Sequence, residues 1–362
     1  MKHDALLNKI NETIEEKGNY DYKQKTISGG IIGSSCDREL WLGFRHCKNE
    51  GDSFKSKTLR LFADGHSVED ITAARWQDAG IQLQVKDYET GGQIKVESLG
   101  GWFKGLLDGV IHSGIPDNET TKYVWEGKCS ASWPTKKHQT DESTCLLNWN
   151  AKYYGQAQSY MGLTNIHKHI TSITKPGGRD ELIIETPFDQ HYFENSQVRA
   201  HTLITTDKMP GRITDDPDYY ECKFCSVSDA CHKGLAPNPT CRNCAFITFH
   251  IDGYQKATCS KHNNEFTDIK LMESYYPCHR FNPDLLKGDA VKFDDKTGSV
   301  TYRLDDGSQY VNGEAYGEFD SMEIYIANEG GFMYDNILKE VKKEFGSKLV
   351  SAESVFGEEV NK

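Results

Sequence analysis

The stretch from Trp102 to Trp133 constrains the fold of this chain more than any other. Asp108 ends an apolar run, and after a polar, turn-rich insert the segment from Tyr123 places Glu126 and Lys128 two residues apart. Side chains alternate along a β-strand, so Glu126 and Lys128 would project from the same face. If the two apolar segments pair, Asp108 can meet that face, and two carboxylates and one ammonium group would surround a small volume.

This grouping suits metal-dependent hydrolysis of a phosphodiester bond. Mg²⁺ prefers hard oxygen ligands and keeps several waters, so two carboxylates and a main-chain carbonyl suffice for a site. The metal would polarise the phosphate and lower the pKa of a bound water, while Lys128 would orient that water and offset charge on the phosphorane. The alternative is an ordinary surface hairpin, because charge pairs on strands are usually solvated.

Length and charge limit the classes of function. The 362 residues can hold two or three domains, and the net charge of −12 excludes a wholly basic surface that coats nucleic acid, though not a local basic groove. The N-terminus has the spacing of an amphipathic helix, and no transmembrane or secretory segment is visible, so we expect a cytoplasmic protein without a membrane partner. In that compartment the eleven cysteines indicate metal or cluster ligation rather than disulfides.

The apolar spacing predicts helices and strands in the order typical of a mixed α/β domain. Between Val85 and Val110 we expect several strands, with turns at the glycine pairs 91–92 and 100–101. A helix is expected from Asp37, capped by Ser34 or Ser35. Further helices are predicted over 59–76, 148–163, 190–206 and 334–345, strands over 166–174 and 181–188, and a hairpin over 291–304 with its turn at 295–298.

Cysteines in the second half form two groups. The first has the spacing C-x2-C-x5-C and lacks a fourth member nearby, whereas the second contains four ligands by itself and predicts a closed tetrahedral thiolate site, with zinc as the leading metal and iron as the alternative. Three histidines could replace one thiolate, although a solvated role is expected for each. The first group is Cys222, Cys225 and Cys231; the second is Cys241, Cys244, Cys259 and Cys278; the histidines are His250, His262 and His279. Buried or surface thiols without partners are expected at Cys47, Cys129 and Cys145.

A series of motifs resembles that of the PD-(D/E)XK nuclease superfamily, in particular its RecB-like branch. In order along the chain they are Gly65-x3-Glu69, Asp108, Glu126-x-Lys128 and Gln156-x3-Tyr160. Cys36, in the setting Ser-Ser-Cys-x-Arg, together with the first cysteine group, resembles the iron-sulfur exonucleases of that branch, which include CRISPR-associated adaptation nucleases and phage enzymes. The resemblance extends over about residues 31 to 233.

The resemblance implies a restriction-endonuclease-like fold, in which helices flank a mixed central sheet. It implies Asp108 and Glu126 as metal ligands, Gly127 as a carbonyl ligand, and Lys128 acting on the attacking water. Glu69 stands where many RecB-like members carry a histidine ligand and lambda-exonuclease-like members a glutamate. Gln156 and Tyr160 would support the site or contact DNA. Finally, it implies a 4Fe-4S cluster on Cys36, Cys222, Cys225 and Cys231, for which zinc in the same four thiolates is the alternative.

We therefore expect an N-terminal helix (1–30), a nuclease domain (31–235), a cysteine-rich metal module (236–289) and a small C-terminal α+β element of hairpin and helix (290–362). The expected activity is that of a Mg²⁺- or Mn²⁺-dependent DNA exonuclease, acting from DNA ends in recombination, repair or phage DNA metabolism. A recombination or single-strand annealing protein would be its partner, and the host cytoplasm its location if it is phage-encoded. The alternative is a non-catalytic nucleic-acid-binding or scaffold protein, which has no reason to keep Asp108, Glu126 and Lys128 together.

Overall fold

The computed structural model describes residues 3–19, 26–49, 53–135, 142–266, 268–329 and 336–348. The chain divides into two compact units. The first unit comprises Met1–Ser35 and Gly51–Thr202, and the second comprises Cys36–Glu50 and Leu203–Lys362. The four-part division expected from the sequence stays a prediction. None of the helices in the described part is long and apolar enough to cross a membrane.

The described chain contains both helices and strands, which occur in mixed order in the first unit. The helices are α1 (Asp4–Gly18), α2 (Asp37–Phe44), α3 (Ser56–Asp78), α4 (Glu142–Trp149), α5 (Ala151–Thr164), α6 (Gln190–Thr205), α7 (Tyr220–Lys223), α8 (Ser321–Glu329) and α9 (Asn336–Phe345). The strands of the first unit are β1 (Ile27–Ser28), β2 (Leu83–Gln84), β3 (Ile94–Ser98), β4 (Phe103–Leu107), β5 (Gly109–Ile111), β6 (Tyr123–Cys129), β7 (Lys168–Thr174) and β8 (Glu181–Pro187). Those of the second unit are β9 (Ile247–Phe249), β10 (Ala257–Cys259), β11 (Asn264–Glu265), β12 (Asp289–Phe293), β13 (Val300–Arg303) and β14 (Gln309–Asn312).

A five-stranded mixed sheet organises the first unit. Its strand order is β2-β5-β6-β7-β8, in which β6 and β7 run parallel and the other neighbours antiparallel. A smaller sheet in the order β1-β4-β3 lies in the same unit. The prediction of a mixed α/β architecture is thus confirmed.

Two apolar clusters cover opposite faces of the five-stranded sheet. Val124 of β6 packs in a cluster with Ala157 and Met161 of α5, whereas Tyr123 and Trp125 pack in another, which includes Ala73 and Trp76 of α3. Because side chains alternate along β6, residues 124, 126 and 128 face α5 and residues 125 and 127 face α3. The position of a residue along β6 therefore determines which face of the sheet its side chain occupies.

Most of the predicted elements are present with bounds close to those expected. Helices α3 and α6, strands β7 and β8, and the hairpin of β12 and β13 are confirmed. Turns with positive φ occur at Gly91, Gly100 and Gly101, where the glycine pairs predicted them. The predicted start of the last helix at Tyr334 lies outside the described residues, and α9 is described from Asn336.

Two local predictions are wrong. The cap of α2 is neither Ser34 nor Ser35 but Cys36, whose Sγ accepts a hydrogen bond from the Glu39 N–H at 3.4 Å. The helix predicted from 148 is divided, because Asn150 ends the run from α4 and caps α5 by accepting from Lys152 N at 3.0 Å. In both places the backbone selects the residue whose side chain can reach the free N–H groups of the first turn.

The second unit is built from two small antiparallel sheets and from buried cations stacked on aromatic rings. The sheets have the orders β11-β10-β9 and β12-β13-β14. Arg45 lies 4.0 Å from the centroid of the Trp41 ring, and Arg242 lies 4.6 Å from that of Phe44. Arg242 also donates to the Phe44 carbonyl from Nε and Nη2 at 2.9 and 2.7 Å. These contacts join the segment around α2 to the cysteine-rich part of the same unit.

Candidate active site

Pairing of β5 with β6 brings Asp108 beside the predicted pair on β6. Gly109 stands opposite Trp125 in this antiparallel register, so Asp108, one residue earlier, meets the position of Glu126. The Gly127 N–H donates a hydrogen bond to Asp108 Oδ2 at 3.1 Å. Asp108 interrupts the run from β4 to β5 and is half-buried, so its carboxylate is fixed by a main-chain contact while one side stays accessible.

Glu126 lies at the centre of the site and is 3% exposed. Its Oε1 accepts from Lys128 Nζ and from Gln156 Nε2, the latter at 2.6 Å. Its Oε2 is buried and has no hydrogen-bond partner among the described residues. A buried carboxylate oxygen without a donor is costly, and a bound cation is one of the few groups that can satisfy it.

Glu69 approaches from the opposite face of the sheet. A Cβ added at Gly127 would lie 2.9 Å from Glu69 Cγ, so the missing side chain at Gly127 leaves the space that Glu69 of α3 occupies. The Glu69 side chain therefore packs against β6 at Gly127, on the face opposite Glu126, and its carboxyl group interacts with that of Asp108. Gly65 lies one turn earlier on α3. A Cβ added there would have no atom within 4 Å, so crowding does not account for a glycine at this position.

Gln156 and Tyr160 support the site from α5, one turn apart on the face toward β6. Gln156 Nε2 lies 3.3 Å from the Tyr160 hydroxyl oxygen and also holds Glu126. The Tyr160 ring lies over two glycines: a Cβ at Gly105 would come within 2.2 Å of its Cε1, and a Cβ at Gly29 within 2.7 Å. These glycines make room for the ring, which fixes the hydroxyl and, through Gln156, the Glu126 carboxylate.

The charges of the cluster are unbalanced toward the negative. Burial raises the pKa of Glu126 and of Glu69, and the neighbouring Asp108 charge raises both further. Burial alone would lower the pKa of Lys128, but the Glu126 and Asp108 carboxylates outweigh it and the net shift is upward. Lys128 thus remains a cation, while three carboxylates share a site with that one ammonium group. Such a site favours an added cation.

His169 of β7 is a candidate that the sequence analysis did not single out. It stands opposite Val124 in the parallel register and therefore faces the same side as Glu126. Burial, followed by the charge of Lys128, lowers its pKa to about 3, so the imidazole is neutral. The alternation of His169 and Thr171 with apolar neighbours on a strand was the available signal, but a buried histidine on a core face is as typical of packing as of chemistry.

The predicted residues of the nuclease motif thus lie together in the first unit, whereas Cys36 and both predicted cysteine groups lie in the second. The charge of Cys36 contributes, after burial, to the upward pKa shifts of Cys222 and Cys225, and Cys231 acts on the same two thiols. Within the described residues, however, no three or more histidine, cysteine or acidic side chains already form a group arranged to hold a metal ion. Cys47 and Cys145 are buried, and Cys129 is half-buried.

Comparisons with known proteins give weak likenesses. No protein-family model matches the chain, and no curated protein matches it. Among solved structures it is similar to an alkaline exonuclease from Laribacter hongkongensis, with 14% identity and a TM-score of 0.32 over 53% of this chain and 90% of that one. It is also similar to a phage-related exonuclease from Haemophilus somnus, with 14% identity and a TM-score of 0.33 over 50% of this chain and 92% of that one.

Proposed function

We propose that the first unit is a metal-dependent nuclease that hydrolyses phosphodiester bonds in DNA. The observation that supports this most is the meeting of Asp108, Glu126 and Lys128, with Glu126 Oε2 buried and uncommitted. A binding-only protein gains nothing from three carboxylates around one lysine, because their repulsion destabilises the fold and disfavours a nearby phosphate.

The donor set fits a hard divalent cation. Asp108 and Glu126 would hold it, with the Gly127 carbonyl, and Glu69 is close enough to Gly127 to join them. When bound, Mg²⁺ or Mn²⁺ polarises the scissile phosphate and lowers the pKa of a coordinated water. Burial and, after it, the Asp108 charge raise the pKa of Glu69 and of Glu126, and an added cation would offset both effects.

The chain's own residues would position the attacking water and stabilise the charge that develops. Lys128 keeps its protons, because its pKa is raised, and it therefore acts as a hydrogen-bond donor rather than as a base. Its ammonium group would orient the water and donate to a phosphate oxygen as negative charge grows there. Gln156 would hold the Glu126 carboxylate in place, and the Tyr160 hydroxyl accepts from the same amide.

The resemblance of the motif series to exonucleases supports hydrolysis that starts from DNA ends. Purified protein should therefore be incubated with linear DNA and with closed circular DNA of the same sequence, in Mg²⁺ or Mn²⁺. We expect linear DNA to be degraded and circular DNA to persist. Cleavage of both would indicate an endonuclease, and binding without cleavage of either would favour the non-catalytic scaffold.

We also propose that Cys36, Cys222, Cys225 and Cys231 hold a 4Fe-4S cluster. The segment after α2 is tied to the loop that carries the three downstream thiols, because Asn49 N donates to Ser226 O at 2.7 Å and Asp229 N to Asn49 Oδ1 at 2.9 Å. Such a cluster takes four thiolates, which is the number available here. Its role would be that of a structural staple between two distant parts of the chain.

Anaerobic purification tests the cluster. We expect a brown protein with bound iron and acid-labile sulfide, and we expect Cys36→Ser to bleach it whereas Cys129→Ser does not. If anaerobically purified protein is colourless and holds zinc on these four cysteines, the site binds zinc instead of a cluster. Its structural role in linking the two parts of the chain would then remain. A colourless protein with all four thiols free would refute both.

A further inference from the structure

Main-chain hydrogen bonds hold the backbone around the second cysteine group, which lies in the second unit. Cys244 N donates to Cys241 O at 3.2 Å, so these two cysteines flank a single tight turn. Thr240 N donates to Asn243 Oδ1 and Asn243 N donates to Thr240 O, both at 3.1 Å, and these two hydrogen bonds brace that turn. In structural metal sites, two cysteines three residues apart on such a turn bind the same ion.

Backbone hydrogen bonds bring the two remaining cysteines to the same turn. Ala245 N donates to Arg280 O at 2.8 Å, two residues beyond Cys278. Ser260 N donates to Phe246 O at 2.9 Å, immediately after Cys259. Three separate stretches of chain are therefore joined by main-chain contacts within two residues of each thiol.

The thiols also affect one another electrostatically. Burial raises the pKa of Cys241 to about 12, and the charges of Cys244, Cys278 and Cys259 add to that shift. Burial likewise raises the pKa of Cys244 to about 11, with further contributions from Cys259 and Cys278. Zinc binding to these thiols would therefore displace their protons.

We propose that Cys241, Cys244, Cys259 and Cys278 form a tetrathiolate site for one structural zinc ion. Four thiolates close the tetrahedral coordination of zinc, which leaves no position for a substrate. The side chains do not form a closed ligand group as they stand. Ion binding would therefore involve rotation of the cysteine side chains on a backbone that is already tethered. The proposal goes beyond the nuclease function and does not depend on it.

The surroundings suit a site of net negative charge. Burial raises the pKa of Cys278, but the nearby Lys261 ammonium group opposes the shift. Lys261 Nζ lies 2.8 Å from Glu314 Oε1, and the fully buried Arg280 reaches the same oxygen at 2.8 Å. A zinc tetrathiolate carries two negative charges, and cations next to it would compensate them.

The sheet of β9, β10 and β11 also requires additional stabilisation. Strands β9, β10 and β11 have three, three and two residues, which is less than an independent sheet requires. In small modules of this kind the free energy of metal binding contributes directly to folding. The zinc would therefore stabilise the module and have no catalytic role.

The neighbouring histidines favour an all-cysteine site. His279 is buried rather than solvated, contrary to expectation, and its Nε2 lies 2.9 Å from Asn243 Oδ1, where it supports the turn. His250 Nε2 lies 2.8 Å from Thr258 Oγ1, and His262 is exposed. Each therefore has a role or a position that does not require a metal.

The test is metal analysis of the full chain with peptide-mapped alkylation of its thiols. We expect these four cysteines to resist alkylation in the native protein and to react after chelation. Cys259→Ser and Cys278→Ser should each lose one equivalent of zinc, whereas the control Cys129→Ser, which is also half-buried but lies in the first unit, should lose none. The difference between variant and control separates this site from any zinc held elsewhere.

Three results would overturn the proposal: free alkylation of the four thiols in native protein, disulfides among them, or iron in place of zinc. If the serine variants fail to fold, alkylation of the wild-type chain before and after chelation decides alone. An absence of DNA cleavage would not affect the outcome, so failure of this proposal and failure of the nuclease proposal are distinguishable.

Discussion

The two units position their chemical groups in different ways. In the first, Glu126 and Lys128 stand on β6 of a five-stranded sheet, Asp108 directly precedes the neighbouring strand β5, and apolar clusters cover the faces of the sheet. In the second, the cysteines of the second group stand on turns and on the three-residue strand β10, near buried arginines. The sheet fixes its site by register and packing, whereas the turns fix only the backbone near each thiol.

This difference implies different roles for metal. A site on a packed sheet is formed by folding, and a cation added to it supplies chemistry. A site on short turns is completed by its ion, which then supplies stability. We therefore expect changes at the first site to affect activity far more than stability, and changes at the second to do the reverse.

The largest expected effect is the loss of cleavage on substitution of Asp108. Asp108→Asn keeps an acceptor for the Gly127 N–H but removes the charge, so DNA cleavage should fall by about 10³-fold or more with the fold retained. Circular dichroism and initial rates on linear DNA check this. The control is Asp180→Asn, an exposed aspartate of the same unit paired with Lys175, and it should retain full activity. Equal cleavage rates for the two variants would mean that Asp108 does not contribute to catalysis.

Lys128→Ala should reduce cleavage by about 10²- to 10³-fold, because it removes the donor that stabilises developing charge. The matched control is Lys168→Ala on the adjacent strand β7. It breaks an ion pair with Glu185 in which each side chain is 42% exposed. Rates on linear DNA should separate the two variants clearly. A comparable loss in both would mean that Lys128 contributes only to the fold.

Chelation tests the contrast between the units most simply. After removal of metal, hydrogen exchange should increase in β9 to β11 and stay unchanged in β6 and β7, since only the first of these regions depends on an ion for stability. Mass spectrometry of exchanged peptides reports both regions in one sample. Unchanged exchange in both, or loosening of β6 and β7, would contradict the contrast.

The smallest effect concerns two glycines of the first unit. Gly105→Ala should destabilise the chain by about 1–3 kcal/mol, because the new methyl group would displace Tyr160. Gly65→Ala, inside α3 with open space around it, should stabilise it by up to about 1 kcal/mol. Thermal unfolding measures both changes in stability. If Gly105→Ala stabilised the chain, the Tyr160 ring could not lie against Gly105.

The sequence predicted those parts of the site that depend on local periodicity. Glu126 and Lys128 were expected on one face because strands alternate, and their side chains contact each other. The approach of Glu69 through the gap at Gly127 could not be predicted, since it depends on how α3 packs against the sheet.

Two of the misses, at Cys36 and His169, have the same physical origin, because both depend on a backbone arrangement that the local sequence does not determine. Three consecutive residues before α2 can all cap a helix, and the backbone path rather than residue type selected Cys36. Asn150, by contrast, carried a local signal that was overlooked, because asparagine is a preferred cap and accepts two N–H bonds of the next turn. His169 was missed because its burial follows from the pairing of β6 with β7, which are distant in sequence.

The central claim is that Asp108, Glu126 and Lys128 form a metal-dependent centre for hydrolysis of DNA, and its most direct test is cleavage of linear DNA as the metal is varied. We predict that purified wild-type protein degrades linear DNA in Mg²⁺ or Mn²⁺, stops when the metal is chelated, and resumes when it is restored. The Asp108→Asn variant, purified in parallel to exclude a contaminating nuclease, should be inactive throughout. Wild-type protein that binds linear DNA but leaves it intact in both metals, or cleavage that persists in the Asp108→Asn variant, would contradict the claim.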